Sequence, residues 1–215
     1  PFPTRRSSDL HREDIADLRR TPFTRRLCDP TTPGMVSNLR LLGSIAVLGR
    51  RLRARWQSDP IIGVMLPPSL GAVAVNVAAA LAGRTVVNLN YSASLPVLEH
   101  IRDQCRLRLV ITSRVFLEKA RLTLPGNVEV IYLDDLRKTL RSGERWLGML
   151  AGWLLPVASL ERMLGRTRPP DMDEVCTLVF SSGSTGVPKG VPLTHWNVWR
   201  SEEGRVGKES RSRWS

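Results

Sequence analysis

The chain reads as α/β, with a parallel sheet that carries helices on both faces. Two patterns point there. Short apolar runs recur at residues 61–66, 85–90, 108–113, 128–133 and 175–180, separated by longer segments with helical spacing. Several of these runs are apolar throughout instead of alternating, as expected of strands buried on both sides. Sheets of this kind take ligands beyond the carboxyl ends of their strands. One Gly- and Ser-rich stretch follows such a run directly.

Taken in order, Leu39, Leu42, Ile45, Leu48, Leu52 and Trp56 fall on one helical face. The opposite face carries Arg50, Arg51, Arg53 and Arg55, read as solvated. Asp59-Pro60 ends that helix. Residues 61–66 are a buried strand, and Ser69 caps a small apolar helix ending at Gly83. Residues 85–90 form the next strand. Ser94 caps a helix with Pro96 in its first turn. The strand at 108–113 leads to a helix started by Ser113, and residues 128–133 form a further strand ending at Asp134. Residues 146–160, "WLGMLAGWLLPVASL", are apolar nearly all round and too short to span a bilayer. They read as a helix packed on the protein surface, with an interfacial helix as the alternative. Residues 166–174 read as a linker.

The 215 residues, 42% hydrophobic, suffice for one sizeable core. Net charge is +12, and 28 of the 32 basic residues are Arg. The charge favours anionic partners such as nucleotides, acidic lipid or an acidic carrier protein. No aromatic-studded basic patch or zinc spacing supports nucleic acid, so no nucleic-acid partner is expected. Cys28, Cys105 and Cys176 lack metal spacing and read as small core residues of a reducing, cytoplasmic protein. No metal-ligand set is expected.

The chemistry concentrates in "LVFSSGSTGVPKGVPLTH", residues 178–195. Gly183 and Gly186 permit close backbone approach to a ligand. Ser181, Ser182, Ser184 and Thr185 place hydroxyls beside backbone N–H groups, the makings of an anion nest. Lys189 adds a point charge suited to phosphate. Thr194 caps a helix beginning at His195. Neither the Walker spacing nor G-x-G-x-x-G is present.

This stretch resembles the phosphate-loop signature of adenylate-forming enzymes: acyl-CoA synthetases, luciferases and peptide-synthetase adenylation domains. Upstream, "VMLPPSLGAVAVNVAAALAGRTVVNLNYSAS" and "VITSRVFLEKA" are similar to the acyl-carrier-protein synthetase part of bifunctional 2-acylglycerophosphoethanolamine acyltransferases and to long-chain fatty-acid ligases. The resemblance implies a partial amino-terminal adenylation subdomain over residues 14–198. It implies that Ser182, Gly183, Ser184, Thr185, Gly186 and Lys189 wrap the β- and γ-phosphates of ATP. Ser181 and Gly190 shape the turn, and His195 and Asn197 are accessory. ATP and Mg²⁺ are the implied cofactors. The implied partners are a fatty acid or other carboxylate, acyl carrier protein or CoA, and an anionic membrane surface, on the inner face of the cell membrane.

Both ends depart from this pattern. "PFPTRRSSDL" and "SEEGRVGKESRSRWS" resemble translated sequencing adapters, so residues 1–13 and 199–215 are expected to be non-native or disordered tails. The adenine-binding motifs and late catalytic Lys of the resembled family have no counterpart here. The expectation is a fragment, poorly soluble and inactive alone, of an acid–thiol ligase. Another acid-activating ligase is the near alternative. A basic membrane-surface binding protein without catalysis is the distant one.

Overall fold

The computed structural model describes residues 10–28, 35–169, 171–181 and 188–198. Helix α1 (Leu10–Arg20) begins within the segment read from sequence as a tail. An antiparallel ribbon follows, β1 (Arg25–Cys28) with β2 (Met35–Ser37). The long helix α2 (Asn38–Trp56) starts where the Ser37 hydroxyl accepts the Arg40 N–H at 3.3 Å. Its apolar face buries Leu42, Ile45, Leu52 and Trp56.

Four β–α units then alternate as the spacing predicts: β3 (Ile61–Met65), α3 (Leu70–Leu81), β4 (Thr85–Asn88), α4 (Leu95–Cys105), β5 (Leu109–Thr112), α5 (Arg114–Ala120), β6 (Glu129–Tyr132) and α6 (Leu133–Thr139). The Ser69 and Ser113 hydroxyls accept from Ala72 N–H and Phe116 N–H, each at 3.2 Å. Ser94 makes no such side-chain bond. Pro96 lacks the N–H that one capping geometry needs, and the Ser94 carbonyl instead accepts from Leu98. Helices α7 (Ser142–Leu154) and α8 (Val157–Leu164) precede the last strands, β7 (Val175–Ser181) and β8 (Lys189–Thr194).

The main sheet has the order β6-β5-β3-β4-β7-β8, parallel except for the β7–β8 hairpin at one edge. Successive residues of each central strand feed opposite cores. Ile62, Val64, Val86 and Ile111 pack under α2 and α3, whereas Met65, Val87 and Val110 pack under α4 and α5. Helices therefore cover both faces, which explains why these strands are apolar without alternation.

Residues 146–160 are not one helix. Pro156 cannot donate within a helix, so the chain turns there, separating α7 from α8. Helix α7 crosses α2 closely through Gly148 and Gly152. A Cβ on Gly152 would sit 2.6 Å from the Leu42 carbonyl oxygen, a backbone atom held inside α2. Gly152→Ala is expected to lower stability by about 2 kcal/mol, since overpacking costs about 1–3. A midpoint in urea unchanged within error would show that α7 shifts freely. Arg19 fastens the end of α7, donating to the Gly152 and Leu155 carbonyls at 2.9 and 2.6 Å. That contact supplies cationic donors to orphan carbonyls at a helix C-terminus.

The arginine face of α2 is more than solvated. Arg51 bonds both Glu144 carboxylate oxygens at 2.6–2.7 Å, and Arg55 pairs with Glu129. Each pair is solvent-accessible, so neither adds much to stability. Their effect is to orient α7 and the β6 edge against α2.

Candidate functional site

Strand β7 is held in place by side-chain hydroxyls as well as by its backbone ladder. Thr85 Oγ1 donates to the Val175 carbonyl at 2.8 Å, and Thr177 Oγ1 to the Val86 carbonyl at 2.9 Å. The strand runs parallel to β4 and then reverses into β8. In the hairpin Phe180 faces Gly190 and Ser181 faces Lys189. Residues 182–187 thus leave from the carboxyl end of a strand in a mostly parallel sheet, the edge where such folds bind ligands. The connection is longer than the usual two to five residues of a hairpin.

Of the residues singled out by sequence, Ser182, Gly183, Ser184, Thr185 and Gly186 lie outside the described residues. Ser181, Lys189, Gly190, His195 and Asn197 lie within them. Ser181 and Lys189 form the last register pair at the mouth of the loop, and the Lys189 side chain is exposed. Gly190 carries the Phe180 ring. A Cβ there would meet ring carbons at 2.9–3.0 Å, so only Gly lets the ring lie across the hairpin. Beyond β8, Thr194 and Asn197 cap each other. Asn197 N–H donates to Thr194 Oγ1 at 3.2 Å, while Thr194 N–H and its hydroxyl reach Asn197 Oδ1 at 3.0 and 2.9 Å. This is a reciprocal capping box with Asn in the usual Glu or Gln place. It employs the Asn197 carbonyl in starting the helix.

His195 is buried, 5% exposed, and its backbone N–H donates to the Glu174 carbonyl at 3.1 Å. Burial pushes its pKa down to about 4; Arg166 nearby adds to the fall and Asp171 opposes it. The imidazole is neutral at ordinary pH and offers a phosphate no positive charge. Lys189 is the exposed cation of the described hairpin.

The segment read as a linker proves to be a clamp. The Arg166 side chain is 6% exposed. It donates to the Ala80 carbonyl at the end of α3 and to the Arg168 carbonyl, both at 3.0 Å, and it pairs with Glu174. Glu174 immediately precedes β7, so the ion pair ties the entry of the loop-bearing strand to α3. Arg84 lies close by, and burial lowers its pKa, with Asp59 and Glu174 opposing and Arg166 reinforcing the fall. Sequence spacing offered no sign of this arrangement, because Arg166 and Ala80 are far apart in the chain.

Ser181 and Lys189, at the loop end of the hairpin, fit a polyphosphate; His195 and Asn197 lie past the Val175–Thr194 pair at its opposite end. An exposed ammonium stands at the mouth of a loop leaving a strand's carboxyl end. They do not form a donor set for a divalent cation. Among the described residues, no group of three or more His, Cys, Asp or Glu could hold a metal.

A profile of AMP-binding enzymes matches residues 44–211, running past residue 198, where the sequence reading ends the domain. A long-chain-fatty-acid–CoA ligase of Gallus gallus is 31% identical over 115 residues, 52% of this chain and 14% of that protein. A feruloyl-CoA synthase of Amycolatopsis sp is 31% identical over 121 residues, 54% of this chain and 19% of that protein. The chain therefore spans only a small part of the length of these curated relatives. The crystal structure of VinN superposes with a TM-score of 0.60 at 23% identity, over 88% of this chain and 46% of that one. The N-terminal subdomain of NpsA from Klebsiella oxytoca gives 0.61 at 16% identity, over 87% and 41%. At such identities the likeness is one of fold, over most of this chain. The profile match covers most of the sequence and includes the loop between β7 and β8: this chain belongs to the AMP-binding enzyme family.

Proposed function

We propose that the chain is the amino-terminal part of an ATP-dependent ligase joining a fatty acid to the thiol of CoA or acyl carrier protein. The observation that carries the reading is the loop between Ser181 and Lys189, at the carboxyl end of β7, with Lys189 exposed at its mouth. In the first step a carboxylate oxygen attacks the α-phosphorus of ATP and pyrophosphate leaves. In the second a thiol sulfur attacks the acyl carbon, its proton is released and AMP leaves. The first step brings one anion onto another, so fixed donors and cations must offset the repulsion. Lys189, with Ser181, Ser182, Gly183, Ser184, Thr185, Gly186 and Gly190, is assigned to the β- and γ-phosphates. Mg²⁺ would bind the phosphates and neutralise their charge. His195, buried and neutral, and Asn197, engaged in capping, are assigned to holding the helix that follows β8.

Lys189→Ala is expected to weaken Mg·ATP binding to the 215-residue chain about tenfold, the loss of one charge-assisted phosphate contact worth about 1.4 kcal/mol. Calorimetric titration would measure it, and equal affinity in both proteins would remove the loop from the phosphate site. Palmitate and ATP supplied to this chain are expected to release no pyrophosphate, because it spans so little of its ligase relatives. Turnover would refute the assignment of this chain as a part of the catalytic unit.

Two observations bear on the acid. The feruloyl-CoA synthase matches as well as the fatty-acid ligase does, so an aromatic acid is the second reading. The lipid reading is favoured by α7. Trp146, Leu147, Leu150, Trp153 and Leu154 lie on one exposed face, with Trp146 65% and Leu154 63% exposed. Arg141 and Arg145 precede that face in the chain. No helix among the described residues is long and apolar enough to cross a membrane. A face of aromatics and leucines on a chain of net charge +12 suits shallow insertion into an anionic surface. Leu150→Ser with Trp153→Ser is expected to reduce cosedimentation with phosphatidylglycerol vesicles about tenfold, from roughly 1.4 kcal/mol or more of lost apolar burial. Unchanged cosedimentation would leave the aromatic-acid reading the better one.

A further inference from the structure

A cavity of about 610 Å³ opens between α2, α3, α6 and α7, beyond the carboxyl ends of β3, β5 and β6. That is within the roughly 300–1,000 Å³ range of small-molecule sites. Its floor is apolar, formed by Val47, Leu48, Leu66, Leu70, Leu133 and Met149. Three arginines from three different helices also line it: Arg40 on α2, Arg137 on α6 and Arg145 on α7.

These arginines differ from others nearby. Arg51, Arg55, Arg114 and Arg166 each meet a carboxylate. Arg40, Arg137 and Arg145 have no ion pair among the described residues. The one acid that lines the cavity, Asp134, already accepts from the Arg114 N–H at 2.6 Å and the Ser113 hydroxyl at 3.3 Å. Unpaired guanidinium groups lining one cavity raise its local positive potential. That potential favours an anion, and the apolar part of the lining takes hydrocarbon.

We propose that this cavity binds a single-chain anionic amphiphile, its acyl chain on the apolar floor and its head group among Arg40, Arg137 and Arg145. The site is separate from the phosphate loop. Strand β4 lies between β3 and β7, so the end of β3 at the cavity and the end of β7 at Ser181 are two strand spacings apart, about 10 Å. The inference does not depend on the ligase reading, since nothing in the cavity uses ATP.

The test is fluorescence of cis-parinarate, a fatty-acid anion, bound to the 215-residue chain without nucleotide. Saturable binding displaced by palmitate is expected, with neutral hexadecanol at least about tenfold weaker. Arg40→Gln, Arg137→Gln and Arg145→Gln together are expected to weaken binding about tenfold while leaving the thermal unfolding midpoint in place. Ser44→Trp, which fills the cavity from the exposed side of α2, tests the chain-binding floor separately and should also displace the probe. Displacement by palmitate assigns a carboxylate head group. Displacement by lysophosphatidylglycerol in place of palmitate assigns a phosphate one, and either supports the site. Absence of saturable binding, equal binding of hexadecanol, or an unchanged affinity in the triple variant overturns it. So does displacement of the probe by Mg·ATP, which would put the amphiphile at the loop instead.

Discussion

Glu174→Gln is expected to cost about 3 kcal/mol of stability, although Glu174 sits at the rim of the fold and is 38% exposed. The loss falls on its partner. Arg166 is almost fully enclosed, and its other hydrogen bonds go to the Ala80 and Arg168 carbonyls, which carry no net charge. With the carboxylate gone, a buried guanidinium loses its counter-charge. Arg84, itself short of a partner at Nε, adds a second cation to the same neighbourhood. Chemical denaturation measures the effect. The double variant Arg166→Met, Glu174→Gln separates causes, because it removes the stranded charge along with the pair. It should be more stable than Glu174→Gln alone. If the single and double variants unfold together, the ion pair is not what ties β7 to α3. If the single variant loses under about 0.5 kcal/mol, Arg166 is solvated enough to stand alone.

This clamp marks where sequence reading ends in this protein. The central strands were legible because each is a short apolar run bounded by a break. Ser69, Ser113 and Thr194 were legible as caps because capping is a local matter, set within three residues. Ser37, which caps α2, has the same chemistry and the same spacing, and that signal was present but unused. Strand order was another matter. Nothing local says that β4 pairs with β7 across the intervening β5 and β6, yet that pairing puts the β7–β8 hairpin beside β4, at one end of the sheet. The break at Pro156 was written in the sequence, but the apolar composition on both sides masked it. Long-range arginine contacts left no pattern at all. Arg19 on the end of α7 and Arg166 on the end of α3 depend on tertiary proximity alone. The same holds for the cavity, where Arg40 of α2 joins Arg137 and Arg145 from far along the chain. At the site, the hairpin register placed Ser181 against Lys189 as a loop between two strands requires, while residues 182–187 lie outside the description.

Stability is expected to fall as pH drops from about 6.5 to about 4, by an amount on the order of 2 kcal/mol attributable to His195. The direction follows from where the proton binds. In the unfolded chain the imidazole takes up a proton near pH 6.5. In the folded chain burial, reinforced by Arg166, holds that uptake off until about pH 4. Between those values the unfolded state carries more protons, so stability rises with pH across the window. Above it both states are neutral and the full stability is present; below it both are protonated and the loss is complete. His195→Gln should flatten this dependence, leaving only the carboxylate contribution at lower pH. Arg166→Met offers a sharper check, because it removes a cation that helps depress the His195 pKa while leaving the imidazole in place. In that variant the imidazole resonances should titrate at higher pH than in the parent, and the unstable window should narrow from its acid side. An NMR titration showing His195 with an unshifted pKa near 6.5 in the parent would defeat the account. The imidazole would then be open to solvent at the end of the hairpin opposite the loop, and its assignment to a structural role would fall.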